Sequence, residues 1–373
     1  MQFHEWIPSI GRLISRGDEA ILQPNLNSSV GSNGLPAKVE EIFQAALSVA
    51  KCVPGITSLE RSHYNHLVEQ GLLVRPYPGI YAIRSVWDRE TTYTRTYQLV
   101  RTLAQVHPEW VFCGPTAAVI HGLSISNRYL KTLHISTGTG QHKKNSRFIT
   151  WHADGNRKVE IVGGVRVTPC GRTAFDCIRY LRFPDALAVA DSVARVMNMG
   201  PTQLLGMFAA EGRGCTNMRY ALEVARHADA RAENGGESLV RAAIIELGFM
   251  VPELQEEVVD PIDGGVRRVD FLWRLPDGRL VIGEFDGRNK YLDGHGGDKP
   301  SSRPATSYTV GKLAKERVRE SRLTAAASVM RLSPSDVVDL DRMENILVGF
   351  RITREYERRV IDSRKRVPAW ARY

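Results

Sequence analysis

The sequence lacks what would take it into a membrane or an oxidising compartment. No apolar run approaches the roughly 20 residues that a membrane-spanning helix needs, and the opening "MQFHEWIPSIGRL" has no signal-type apolar core. Cysteine is scarce, with five in 373 residues (Cys52, Cys113, Cys170, Cys177 and Cys215). The number is odd and no Cys-x-x-Cys pair occurs, which argues against a zinc ribbon or a disulfide scaffold. Reduced thiols in a cytoplasm are the expectation. Charge, by contrast, is plentiful: 50 Lys and Arg against 41 Asp and Glu give a net +9.

The distribution of that charge says more than its sum. Lys+Arg minus Asp+Glu is 9 − 9 = 0 over residues 1–100, 13 − 6 = +7 over 101–200, 12 − 17 = −5 over 201–300 and 16 − 9 = +7 over 301–373. A basic protein with one acidic window suits a polyanionic partner, nucleic acid above all, with a carboxylate site between basic surfaces.

Residues 1–88 read as a helix over 1–23, a joint "QPNLNSSVGSNGLP", and a helix from Lys38 to Cys52. A second helix then runs from a Thr57 or Ser58 cap to about Gln70, followed by short strands at Leu72–Val74 and Ile80–Ile83. Helix, helix, two-stranded wing is the order of a winged helix, with Arg61, His63, Asn65 and His66 as candidates for DNA contact. Residues 89–228 form a middle α/β region. His121 and His134 share no metal-ligand spacing there and read as structural.

Residues 229–373 read as helix, three strands, helix, strand. The helix is "ESLVRAAIIELGF" with Leu239, Ile244 and Leu247 inward, and the hairpin "RRVDFLWRLPDGRLVIGEFDGRNKY" turns at Asp277-Gly278. Period-two alternation puts Glu284 and Asp286 on one face, with Asp270 opposite Glu284. Carboxylates gathered on one face repel each other unless a cation joins them, and Mg²⁺ or Mn²⁺ takes such oxygen donors. The solvated sheet edge is the alternative. A basic helix "TVGKLAKERVRESRLTAAA" carries Lys312, Lys315 and Arg319 as phosphate contacts, and "SVMRLS" is a last buried strand. The ending "REYERRVIDSRKRVPAWARY" reads as a basic helix and tail.

The stretches "GGESLVR", "RRVDFLW", "LVIGEFDGRNKY" and "LAKERVRESRL", in that order, resemble the PD-(D/E)XK nuclease core, and more closely its very-short-patch-repair-like branch. The resemblance implies a restriction-endonuclease-like αβββαβ fold in a mixed α/β, multidomain chain. It also implies a catalytic set of Glu237, Asp270, Glu284, Asp286 and Lys290, with Asp270, Glu284 and Glu237 around Mg²⁺ or Mn²⁺. That family places a lysine two residues after the second carboxylate. Here Asp286 stands in its place, so Lys290, Lys312 or Lys315 would have to supply the charge. "PGITSLERSHYNHLVEQGLLVRPYPGIYAI", "GPTAAVIHGL" and "VRVTPCGRTAFDCIRYL" resemble AbiEi-type antitoxins, although the stretch between "PGIT" and "PGIY" is several residues short for such a winged helix. Two functions follow as expectations. One is a metal-dependent nuclease, DNA favoured. The other is a non-catalytic antitoxin-like regulator with a degenerate nuclease domain and a cognate toxin or defence partner.

Overall fold

A computed structural model describes residues 31–137, 143–153, 158–262, 264–286 and 327–373. The chain is mixed α/β and divides into two units, one up to Pro108 and one from Glu109. The helix Thr92–Val106, which the sequence reading set at the head of a middle region, lies in the first unit.

In the first unit the helix Ala37–Ser48 precedes strand β1 (Val53–Pro54), the helix Ser58–Glu69, and the strands β2 (Leu73–Tyr77) and β3 (Ile80–Ile83). The second helix starts where the sequence signals it. Thr57 accepts from the Glu60 N–H while the Glu60 carboxylate accepts from the Thr57 N–H, a reciprocal capping box. The strands pair antiparallel in the order β1-β3-β2. Val39, Phe43, Tyr64, Leu67 and Tyr81 fill the core between helices and sheet. Strand β2 continues through Arg75–Tyr77, farther than its apolar residues alone suggest.

The second unit opens with a five-stranded sheet. Its members are β4 (Val111–Phe112), β5 (Leu133–Thr137), β6 (Ile149–Ala153), β7 (Glu160–Val162) and β8 (Val165–Val167), in the order β6-β5-β4-β8-β7. Helices at Cys170–Ile178, Phe183–Val196, Pro201–Glu211 and Met218–Arg226 follow, and then Gly235–Leu247, whose partner is Phe183–Val196. Gly248 ends that helix at φ +75°, and a side chain there would strike the Tyr356 carbonyl.

The remaining sheet holds β9 (Glu253–Val259), β10 (Val266–Arg274), β11 (Leu280–Phe285) and β12 (Ser328–Leu332) in the order β12-β11-β10-β9. The first three in sequence are antiparallel neighbours, and β12 joins β11 in parallel. One face buries Phe271, Trp273, Val281, Met330 and Leu332 against Val240, Ile244 and Leu247 of the helix. Trp273 is wholly buried, and its indole N–H donates to the Met250 carbonyl at 2.7 Å. Leu239, expected inward, is only half-buried, and Val240 takes that place in the core.

Two local expectations are corrected. The hairpin turns about Pro276-Asp277: Gly278 N–H donates to the Leu275 carbonyl at 2.9 Å, and only Gly278, at φ +84°, is left-handed. Proline suits the first central position of such a turn, and glycine its last. The C-terminal stretch is not helical apart from a short 3₁₀ turn at Ala369–Ala371. Its backbone is taken up elsewhere. Glu355 and Tyr356 N–H groups donate to the Gly248 carbonyl, and Arg359 and Ile361 N–H groups to Glu246.

Candidate functional site

Glu237 sits in the first turn of the helix Gly235–Leu247, capped by Asn234, whose Oδ1 accepts from the N–H groups of Gly236 (2.9 Å) and Glu237 (3.1 Å). This end of the helix comes very close to strand β11. A Cβ on Gly236 would lie 2.1 Å from the Phe285 ring, so the approach requires glycine. The second glycine of "GGESLVR" is therefore a packing device that brings the Glu237 end of the helix to the sheet.

Glu237 is only 3% exposed. Its Oε2 accepts from the Glu233 N–H (2.7 Å) and the Gln255 side-chain amide (3.2 Å), and its Oε1 accepts from the Asn234 amide. Burial pushes its carboxyl up to about 7, and the neighbouring charge of Asp270 adds to the rise. Asp270 Oδ2 accepts from the Phe285 N–H at 2.9 Å, which fixes it against the end of β11. The β10–β11 register ends at the Phe271–Gly283 pair, and Asp270 and Glu284 are the next residues beyond it on their two strands. Both carboxylates are half-buried.

The structure thus sets Glu237 near enough to Asp270 for their charges to interact, with Glu284 on the neighbouring strand. Asp286 is exposed just beyond β11, its N–H donating to the Leu332 carbonyl at 2.9 Å. Lys290, Lys312, Lys315, Arg319 and the basic helix lie outside the described residues. Among the described residues no three His, Cys, Asp or Glu side chains form a group able to enclose a metal ion.

Two residues join the site without having been foreseen. Gln255 reaches Glu237 from within β9 at φ +56°, a strained conformation for a non-glycine residue. Arg331 on β12 is the in-register partner of Glu284 and places a guanidinium-bearing residue beside it.

The candidates in the first unit are tied into their own fold. The Arg61 guanidinium donates to the carbonyls of Gly55 (3.2 Å) and Ile56 (2.9 Å). Asn65 Oδ1 accepts from the Tyr81 hydroxyl (3.0 Å) and from Arg75 (3.2 Å). Burial holds the half-buried His63 below the ordinary histidine range, with His66 nearby acting in the same direction. His66 is exposed and lies 2.9 Å from the Gln70 amide. In the second unit His121 meets the Thr168 carbonyl at 2.8 Å and His134 pairs with His152. Among the described residues no helix is long and apolar enough to cross a membrane, and all five cysteines are free.

No family model matches the chain. Over 223 residues it is 30% identical to uncharacterized protein Rv2248 of Mycobacterium tuberculosis strain ATCC 25618 / H37Rv, a match covering 60% of this chain and 77% of that protein. Uncharacterized protein MT2308 of strain CDC 1551 / Oshkosh matches with the same identity and coverage. With three quarters of their length matched at that identity, the chain belongs to the family that these mycobacterial proteins represent.

Proposed function

We propose that the chain is a metal-dependent nuclease of PD-(D/E)XK type that hydrolyses phosphodiester bonds of nucleic acid, DNA in preference to RNA. In this reading the first unit is a winged-helix-like region that binds DNA or regulates the enzyme. The observation that carries the proposal is the burial of Glu237, with the charge of Asp270 near it, where a helix N-terminus meets the end of β11. A buried carboxyl pushed out of its usual range by desolvation and a neighbouring charge is a mark of a functional site. The helix, three antiparallel strands and a parallel fourth support the restriction-endonuclease-like core.

The donor chemistry suits Mg²⁺ or Mn²⁺, since every candidate ligand is a carboxylate. Mg²⁺ keeps several waters and is commonly held by one or two carboxylates with substrate phosphates, so a closed cage of three side chains is not required. Asp270 and Glu284 would hold the cation, which supplies charge to the scissile phosphate and lowers the pKa of water. The chain's own residues do the rest. The Phe285 N–H orients Asp270, while Asn234 and Gln255 orient Glu237. A carboxyl with a pKa about 7 can take up or release a proton at neutral pH. Arg331 offers the positive charge that Asp286, in the usual lysine place, does not.

The second reading is the antitoxin-like regulator, its nuclease-like domain used for binding alone. Asp286 at the lysine position favours it. Cleavage of plasmid and oligonucleotide substrates with Mg²⁺ or Mn²⁺ separates the two. The nuclease predicts that Asp270→Ala and Glu284→Ala each lower the rate by about a hundredfold or more, the scale of losing one group that acts at the reacting phosphate. It also predicts that Glu284→Ala removes Mn²⁺ binding in calorimetry. Sequence-specific promoter binding that survives Asp270→Ala, with no cleavage by wild type, would establish the regulator.

A further inference from the structure

A cavity of about 450 Å³ opens in the second unit and shares no residue with the carboxylate site. Its walls come from residues around 128–134, 145–152 and 368–373. The size falls within the range of small-molecule sites, about 300–1,000 Å³.

One wall is aromatic. The Trp370 ring stands edge-on to His134 (5.0 Å between centroids) and to His152 (6.2 Å). Trp151 and Tyr373 add two further rings. His134 is 1% exposed and its Nδ1 lies 2.9 Å from His152 Nε2, so one ring donates to the other. Burial first, and the second imidazole next, hold His134 well below the ordinary histidine range. At neutral pH this ring therefore brings polar edges without charge.

The mouth is cationic. Arg128 and Lys131 are exposed there, and the Lys131 ammonium lies 4.5 Å from the Tyr373 ring centroid. Beside the cavity, Lys143 lies 4.3 Å from the Trp151 ring. The acidic neighbour is Asp185, 3.9 Å from Arg128 and accepting from the Tyr129 hydroxyl at 2.7 Å. Arg128 and Lys131 outnumber that one carboxylate, which leaves the rim positive on balance.

A bare phosphate would leave the aromatic wall unused, and a neutral apolar ligand would leave the cations unused. We propose that this cavity binds a nucleotide unit, its base against Trp370 and Trp151 and its phosphate at Arg128 and Lys131. The same chemistry is offered by a free mononucleotide and by an unpaired nucleotide at a strand end. Stacking of bases on aromatic side chains is tolerant of sequence, whereas the phosphate contact is salt-dependent.

Calorimetric titration in a chelator, so that the carboxylate site plays no part, tests the assignment. The probes are adenosine monophosphate, a duplex with an unpaired 3′ overhang and its blunt counterpart. Lys131→Glu and Trp370→Ala serve as variants, with thermal melts to verify folding. Support is binding of the mononucleotide, or preference for the overhang, weakened about tenfold or more by each folded variant, the range of one lost base–aromatic contact. Mononucleotide binding identifies a free ligand, and overhang preference without it identifies a strand end. Lys131→Glu, at an exposed position, decides the matter if Trp370→Ala fails to fold. No binding of either probe overturns the proposal, as does binding that Lys131→Glu leaves unchanged. Binding weakened by Lys131→Glu but unchanged in folded Trp370→Ala overturns the base site.

Discussion

Glu237 and Arg241 occupy successive turns of one helix, and both are nearly out of solvent. Arg241 has an opposite charge beside it. Its guanidinium lies 2.6 Å from Asp191 and 2.7 Å from the His227 carbonyl, while Asp191 also accepts from the Asp229 N–H at 2.7 Å. Glu237 has N–H donors, but among the described residues no cationic partner, and a second carboxylate, Asp270, stands near it. Desolvation costs several kcal/mol per ion unless charge or hydrogen bonds offset it. The charge of Arg241 is matched within the fold, although its buried Nε has no hydrogen-bond partner among the described residues. The charge of Glu237 is not, and a buried carboxylate without an opposite charge is where an external cation or proton finds a use.

The largest effect is expected on the matched pair. Arg241→Met leaves Asp191 buried and unmatched and should destabilise the protein by about 3–5 kcal/mol, measured as a shift in the urea midpoint. Adding Asp191→Leu should recover most of that loss, because an apolar pair of similar volume is often neutral. A single-mutant loss under about 1 kcal/mol would dissolve the contrast between the two turns.

Glu237 should behave in the opposite way. Its carboxyl stands at about 7 against an ordinary 4.5, so the folded protein binds this proton more tightly than the unfolded chain. That contribution to stability is fully present below about pH 4.5 and disappears as pH rises through about 7. Unfolding of wild type at pH 5 and pH 8 should therefore differ by about 1–3 kcal/mol more than in Glu237→Gln, whose amide does not ionise. Equal pH dependence in the two proteins would mean that Glu237 carries no unusual proton.

How much of this was visible beforehand depends on the range of the interaction. The hairpin strands follow from alternation and a nearby turn, all within 20 residues of one another. Glu237 comes into view only through the resemblance that "GGESLVR" carries, not through any pattern of its own. Its place near Asp270 depends on Gly236 meeting Phe285 across the fold. Gln255 was invisible because a left-handed residue inside a strand leaves no mark in composition. Arg331 was invisible because a parallel pairing brings it beside Glu284 from far along the chain. The C-terminal stretch has helical composition and an extended course, since Glu246 and Gly248 capture its N–H groups. Tertiary hydrogen bonds outweighed propensity there.

The smallest effect concerns the cap that links the two halves of the comparison. Asn234→Ala removes the acceptor for two helix N–H groups and one donor to Glu237, and should cost about 1 kcal/mol. Asn234→Asp separates those roles. Aspartate caps a helix as well as asparagine does, so the helix should remain, but the donor to Glu237 becomes an anion beside it. The titration of Glu237, followed by carboxyl-resolved NMR, should then move above its wild-type position while the melting temperature of the helix-bearing unit changes little. A large loss of stability in both variants would show that Asn234 serves only the helix. An upward shift confined to Asn234→Asp would show that the same side chain that starts the helix also sets the proton affinity of Glu237.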